Sequence, residues 1–209
     1  MTPGSTSHGL PGPLLAALAG TALMFVLQAA PSVLPLLEYR RAALAAEPWR
    51  LLTAHIVHVN WTHALANAGG WLVLSWLFAP QFDARRQLLI LALGAAFVSF
   101  ALAAWQPSIE WYRGASGALH ALFFAGATDA TIALLRGQSR QRALMPPALL
   151  AAGWIKVALE QPVNSGATPY AEWLASAVVP QAHLFGAIAG TAAGVFLAAR
   201  ARRPPGISR

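Results

Sequence analysis

A serine, two histidines and an asparagine stand in this chain where they could share one chemistry. Ser116 lies in Gly114-Ala115-Ser116-Gly117, whose small neighbours leave room for a substrate backbone and for a sharp turn into a helix. A serine hydroxyl becomes a nucleophile when an adjacent imidazole can take its proton. His183 is the candidate general base. The oxyanion that forms on attack needs donors already in place. His63 and Asn67, four residues apart, face the same way on a helix. The free N–H groups of a helix opening at Ser116 offer further donors. No carboxylate completes a triad in this reading, because Asp129 lies 13 residues beyond Ser116, about 20 Å along a helix axis. The spacing predicts a Ser116–His183 dyad.

The sequence around these residues is apolar. Hydrophobic residues make up 57% of the 209 and charged residues 10%, against roughly 25% charged in an ordinary soluble domain. A soluble protein of 22.0 kDa needs more polar surface than that. Disorder is excluded too, since it requires low hydrophobicity and high net charge. The lack of cysteine rules out disulfides, thiolate metal sites and a cysteine nucleophile. Eight tryptophans suit an interfacial belt as well as core packing. The net charge of +7 could suggest nucleic acid, but the arginines fall between apolar runs and form no stripe with interleaved aromatics. No nucleic acid partner is expected. The composition is that of an integral membrane protein.

A membrane-spanning helix needs about 20 mainly apolar residues. Six runs are candidates: 14–37, 61–79, 87–105, 116–135, 143–159 (broken by Pro146-Pro147 and holding Lys156) and 178–199. The expected fold is an all-α membrane protein, a six-transmembrane-helix bundle over residues 14–199. A flexible N-terminus is expected at 1–13 and a basic cytoplasmic tail at 200–209. The connections after the second and fourth runs, with the tail, hold Arg85, Arg86, Arg136, Arg140, Arg142, Arg200, Arg202, Arg203 and Arg209. The opposite connections hold only Arg40, Arg41, Arg50 and Arg113, so the positive-inside rule puts both termini in the cytoplasm. The first run lacks the marks of a cleaved signal, since no Lys or Arg precedes it and Gln28-Ala29-Ala30 offers no clear small-x-small site.

In that orientation the second, fourth and sixth runs share a direction. His63, Asn67, Ser116 and His183 then all lie within roughly 10 Å of the outer edge of the apolar zone. Polar groups are costly there and mark function by default. Three unrelated interhelical hydrogen bonds are the plainer alternative, but they do not account for one depth repeated on three helices. Gly186 and Gly190 follow His183 with small-xxx-small spacing, and Gly117, Ala121 and Ala125 follow Ser116 likewise. Such faces let two helices approach closely.

Gly114-Ala115-Ser116-Gly117, the stretch His183-Leu184-Phe185-Gly186-Ala187-Ile188-Ala189-Gly190, and His63-Ala64-Leu65-Ala66-Asn67 resemble the GxSG, HxxGxxxG and HxxxN signatures of rhomboid intramembrane serine proteases. Trp49-Arg50 resembles the WR pair in that family's first external loop. The resemblance spans roughly residues 47–195. It implies a six-helix core, a Ser116–His183 dyad, His63 and Asn67 in the oxyanion region, and no cofactor. One departure is informative. Typical rhomboids carry a tyrosine four residues after the nucleophile, stacked on the catalytic histidine, whereas this chain has His120. With Trp49-Arg50-Leu51-Leu52-Thr53-Ala54-His55 and His58-Val59-Asn60-Trp61, the pattern is similar to the rhombosortase subfamily. Rhombosortases are bacterial rhomboids paired with exported proteins bearing a C-terminal Gly-Gly-containing sorting helix. The subfamily implies membrane-anchored substrates with such a helix, a place in the bacterial inner membrane, and an active site facing the periplasm.

Several residues carry two readings each. His120 either competes with His183 for the hydroxyl proton or stacks on it as the family's tyrosine does. His55 and His58, at i, i+3, suit either a metal or interfacial hydrogen bonding. Lys156 is expected to snorkel to the interface, and Trp49-Arg50 either to anchor the loop at the headgroups or to help admit substrate. Asn60-Trp61-Thr62 fits a glycosylation pattern that a bacterial protein would not use. The rival from another class is a haem- or metal-binding membrane protein using His63, His120 and His183, in which the serine of GxSG has no role. A catalytically dead relative would lack a dyad member, and none is missing.

Overall fold

The computed structural model describes residues 10–137, 145–161 and 179–200. The first apolar run is not one helix. Helix α1 spans Gly12–Gln28 and a short α2 follows at Leu34–Leu37. Pro31 has no N–H to donate, and its ring both clashes with the carbonyl four residues back and disfavours helical backbone at Ala30. Pro35 lies in the first turn of α2, where a missing N–H costs nothing. Gly12 and Pro13, expected in the flexible N-terminus, belong to α1, and residues 1–9 lie outside the described residues.

Next come strand β1 (Tyr39–Arg40), a 3₁₀ turn (Arg41–Ala43), α3 (Arg50–Thr53), α4 (Trp61–Leu77) and α5 (Ala84–Trp105). Strand β2 (Trp111–Tyr112), α6 (Ser116–Leu135), α7 (Met145–Glu160) and α8 (Pro180–Arg200) complete the order. Local chemistry sets the starts. The Asn60 side chain caps α4 by accepting from the His63 N–H at 2.8 Å, so the Asn60-Trp61-Thr62 triplet is a helix start. Asp83 caps α5 in the same way, accepting from the Arg86 N–H at 2.8 Å. Pro146 and Pro147 do not break α7, because they occupy its first turn. The expected helix ends at 143–144 and 178 and the tail at 201–209 lie outside the described residues.

Helices α5, α6 and α8 are long and apolar enough to cross a membrane, and α1 is a shorter apolar helix. Helix α6 packs against both α5 and α8, and the contact with α8 is backbone to backbone. A Cβ on Gly186 would lie 2.0 Å from the Gly117 carbonyl oxygen, and one on Gly190 2.3 Å from that of Ala121. Gly94 of α5 faces the Ala121 Cβ at 2.5 Å in the same sense. No rotamer relieves a clash with backbone, so Gly186→Ala should push α6 and α8 apart. We expect a lower melting temperature in detergent together with loss of activity. Gly69→Ala, where nothing lies within 4 Å, should melt no lower than wild type. Equal behaviour of the two variants in a thermal shift assay would contradict this account of the packing.

A loop layer closes one end of the bundle. Tyr39 pairs with Tyr112 and Arg40 with Trp111 in a short antiparallel ribbon. The Arg41 guanidinium donates to the carbonyls of Leu102 (2.8 Å), Ala103 (2.9 Å), Gln106 (2.5 Å) and Ile109 (3.2 Å). It thereby ties the 3₁₀ turn to the last turn of α5 and to the loop that follows it. Arg50 is buried, donates to the Pro35 and Glu38 carbonyls at 2.8 Å each, and pairs with Glu47. It joins α3 to α2 and does not reach for headgroups, which corrects the expectation for that residue. The buried carboxylate of Glu38 pairs with Arg40 and Arg113 at 2.5 Å each.

Candidate active site

Gly114 makes the turn into α6. Its φ of +134° is a conformation that L side chains rarely adopt, and a Cβ there would lie 2.7 Å from His63 Cε1. The Gly114 N–H donates to the Ala54 carbonyl at 2.9 Å, and the Tyr112 hydroxyl donates to the Gly114 carbonyl at 2.6 Å. This turn delivers Ser116 as the first residue of α6, where backbone N–H groups have no intrahelical partner. The close approach of Gly186 to Gly117 brings the first turn of α8 alongside. Ser116 Oγ lies 2.9 Å from His183 Nε2.

The hydrogen bonds continue from His183 back to Ser116 in a closed ring. His183 Nδ1 is 2.8 Å from Glu160 Oε2, and Glu160 Oε1 is 2.7 Å from Lys156 Nζ. Lys156 Nζ is 3.1 Å from His120 Nε2, and His120 Nδ1 is 2.7 Å from the Ser116 carbonyl oxygen. The partners fix the protons. A carbonyl and a carboxylate only accept, so His120 Nδ1 and His183 Nδ1 each carry hydrogen. Each Nε2 is then bare: the ammonium donates to that of His120, and the Ser116 hydroxyl can donate to that of His183. The two imidazoles stack, with centroids 4.2 Å apart and planes 14° from parallel.

Two expectations are overturned here. A carboxylate does reach His183, and it is Glu160, the last residue of α7. Lys156 does not turn away to the interface, because its ammonium bridges Glu160 and His120. A visible signal was missed: Lys156 and Glu160 form an i, i+4 charge pair at the end of an otherwise apolar run. A run that ends at residue 159 stops one residue short of the glutamate.

The remaining predicted residues fall into two groups. His63 sits against Gly114, and Asn67 donates to the His63 carbonyl at 3.0 Å while lining a cleft with Ser116 and His120. That cleft has a volume of about 450 Å³ and runs between α4, α6 and α7 past Gly70, Phe123 and Gly153. Its walls are apolar, and Ser116 is at its edge. His55 and His58 stand behind the site, buried at 4% and 0% exposure, so neither is interfacial. His55 Nε2 meets Ser99 Oγ at 2.9 Å, and His58 packs edge-on against His63 with centroids 5.1 Å apart. Burial pushes His55 down to about 4 and, with His63 and His55 nearby, His58 to about 3, so both are neutral at pH 7.

One trio could offer metal ligands: His120, Glu160 and His183 bring an atom each within 4.8 Å of one another. The Lys156 ammonium, already bonded to His120 and Glu160, sets a positive charge among them that opposes a cation. Among the described residues, His55 and His58 do not fall in such a trio.

Ser116 and His183 are thus joined across two close-packed helices, each long and apolar enough to cross a membrane. Residues 45–200 match the family model of the Rhomboid domain, and the chain belongs to the rhomboid family. It is thus an integral membrane protein of a family of intramembrane serine proteases, hydrolases that act on membrane protein substrates within the bilayer. No curated protein matches the chain.

Proposed function

We propose that this rhomboid is an endopeptidase in which Ser116 is the nucleophile and His183 the general base. The observation that carries this is the 2.9 Å approach of Ser116 Oγ to the unprotonated Nε2 of His183 at the edge of an apolar cleft. The hydroxyl proton passes to Nε2 as Oγ attacks the scissile carbonyl, and His183 then gives it to the leaving amine. The oxyanion is met by His63, Asn67 and the N–H groups opening α6. Gly114 keeps a side chain away from His63, and Gly117 lets α6 lie close against Val98 and the Ala182 carbonyl. Gly186 and Gly190 hold α8 against α6, and His120 serves as the stacking partner of His183.

The finer reading is a rhombosortase in the bacterial inner membrane. Residues 14–199 would form six spans with both termini cytoplasmic, residues 200–209 a basic cytoplasmic tail, and the active site would face the periplasm. The reaction removes the C-terminal Gly-Gly-containing sorting helix of exported, membrane-anchored proteins. What supports it is His120 in the place of the family's tyrosine, with the residues around Trp49-Arg50 and His58. Co-expression with a protein ending in such a helix tests it, with tail removal read by mass spectrometry. An uncleaved tail beside cleavage of other single-span substrates would leave a general rhomboid protease. For orientation, a periplasm-dependent reporter after Arg209 should be silent and one inserted within residues 161–177 active. Activity at the C-terminus would reverse the topology.

A further inference from the structure

We infer that Glu160 is a positioning residue for the reaction, turning the Ser116–His183 pair into a triad, and that Lys156 is its counter-ion. The inference rests on the reading of Ser116 and His183 as nucleophile and base. Its physical content is the tautomer. An imidazole alone divides its proton between two nitrogens, and only the form with Nε2 bare can accept from Ser116 Oγ. The Glu160 carboxylate, 2.8 Å from Nδ1, holds the proton there. It also faces the imidazolium that forms once the serine proton arrives on Nε2, and it takes no proton itself.

A carboxylate in an apolar helix is costly unless something requires it. Joining α7 to α8 does not, because Gln161 already does so. Its side chain donates to the Val157 carbonyl at 3.1 Å and to the Pro180 carbonyl at 3.0 Å. Lys156 contributes a full positive charge at 2.7 Å from the other carboxylate oxygen, which keeps Glu160 ionised while Nδ1 holds the first. The same ammonium donates to His120 Nε2, so the ring stacked on His183 is held in its plane from the same source.

The test uses the full-length protein in detergent and a fluorophosphonate probe, whose attack by Ser116 depends on the same activation. For Glu160→Gln, the maximal labelling rate should fall on the order of 10²–10⁴-fold, while the half-saturating probe concentration stays within about twofold. Glu160→Asp keeps the charge on a shorter stem and should recover part of the rate. A residue that only joined helices would give neither the split between rate and binding nor the recovery by charge. Labelling of Glu160→Gln at the wild-type rate would overturn the triad and leave the serine–histidine pair intact. Labelling that survived Ser116→Ala would instead remove the reading beneath it. Removing one partner of a buried ion pair can unfold a protein, so ¹⁵N spectra of the unaltered protein provide a second arm. They should show neutral His183 protonated on Nδ1, and a proton found on Nε2 would sink the proposal.

Discussion

Ser116→Ala should abolish peptide cleavage and fluorophosphonate labelling while leaving expression and melting temperature near wild type. The substitution removes one oxygen from the first residue of α6 and nothing from the packing of α6 on α8, which Gly117, Gly186 and Gly190 determine. Loss of a single hydrogen bond costs about 1 kcal/mol, and the bond lost is the one to His183 Nε2. Loss of a nucleophile is of another order. In a soluble serine protease it lowers kcat by roughly 10⁶-fold. Mass spectrometry of a co-expressed single-span substrate would show the intact form alone. Cleavage retained in this variant would end the serine-protease reading whatever the fate of the labelling.

How much of this was legible in the sequence depends on whether a feature is local. The Gly114-to-Gly117 turn, the limits of α6 and the small-residue faces of α6 and α8 are written in residues a few positions apart. The structure brings Ser116 to His183 through those same glycines. Glu160 was hidden because its role depends on how α7 is rotated against α8, and a one-residue difference in the end of α7 decides whether it counts as helical at all. Prolines were legible only by position. Pro31 ends α1, whereas Pro146 and Pro147 open α7.

The loop arginines show a different limit. Counting charge treats Arg40, Arg41, Arg50 and Arg113 as surface charge; Arg40 is exposed, yet the other three are engaged inside the loop layer. Arg41 meets carbonyls more than sixty residues away in the chain, a contact that no local pattern announces. His55 and His58 follow the same logic, since a histidine in a loop reads as interfacial until the loop is seen to fold over the site.

His183→Ala should lose activity nearly as far as Ser116→Ala, and the double variant should be little worse than either. Residues that act as one catalytic unit are strongly non-additive, because removing the nucleophile leaves the base nothing to activate. A general base contributes on the order of 10²–10⁴-fold, well within the range of a labelling-rate assay. The variant should still fold, since Glu160 keeps Lys156 at 2.7 Å after its imidazole partner is gone. His120→Tyr supplies the contrast. His120 Nδ1 faces the Ser116 carbonyl and its Nε2 faces Lys156, so neither nitrogen addresses the serine hydroxyl. A tyrosine ring can keep the stack on His183, and measurable activity should remain. If His183→Ala were active and His120→Tyr dead, the base would be His120, four residues from the nucleophile on the same helix. Glu160 would then serve a histidine that never meets the serine proton, while Lys156 would face the base itself.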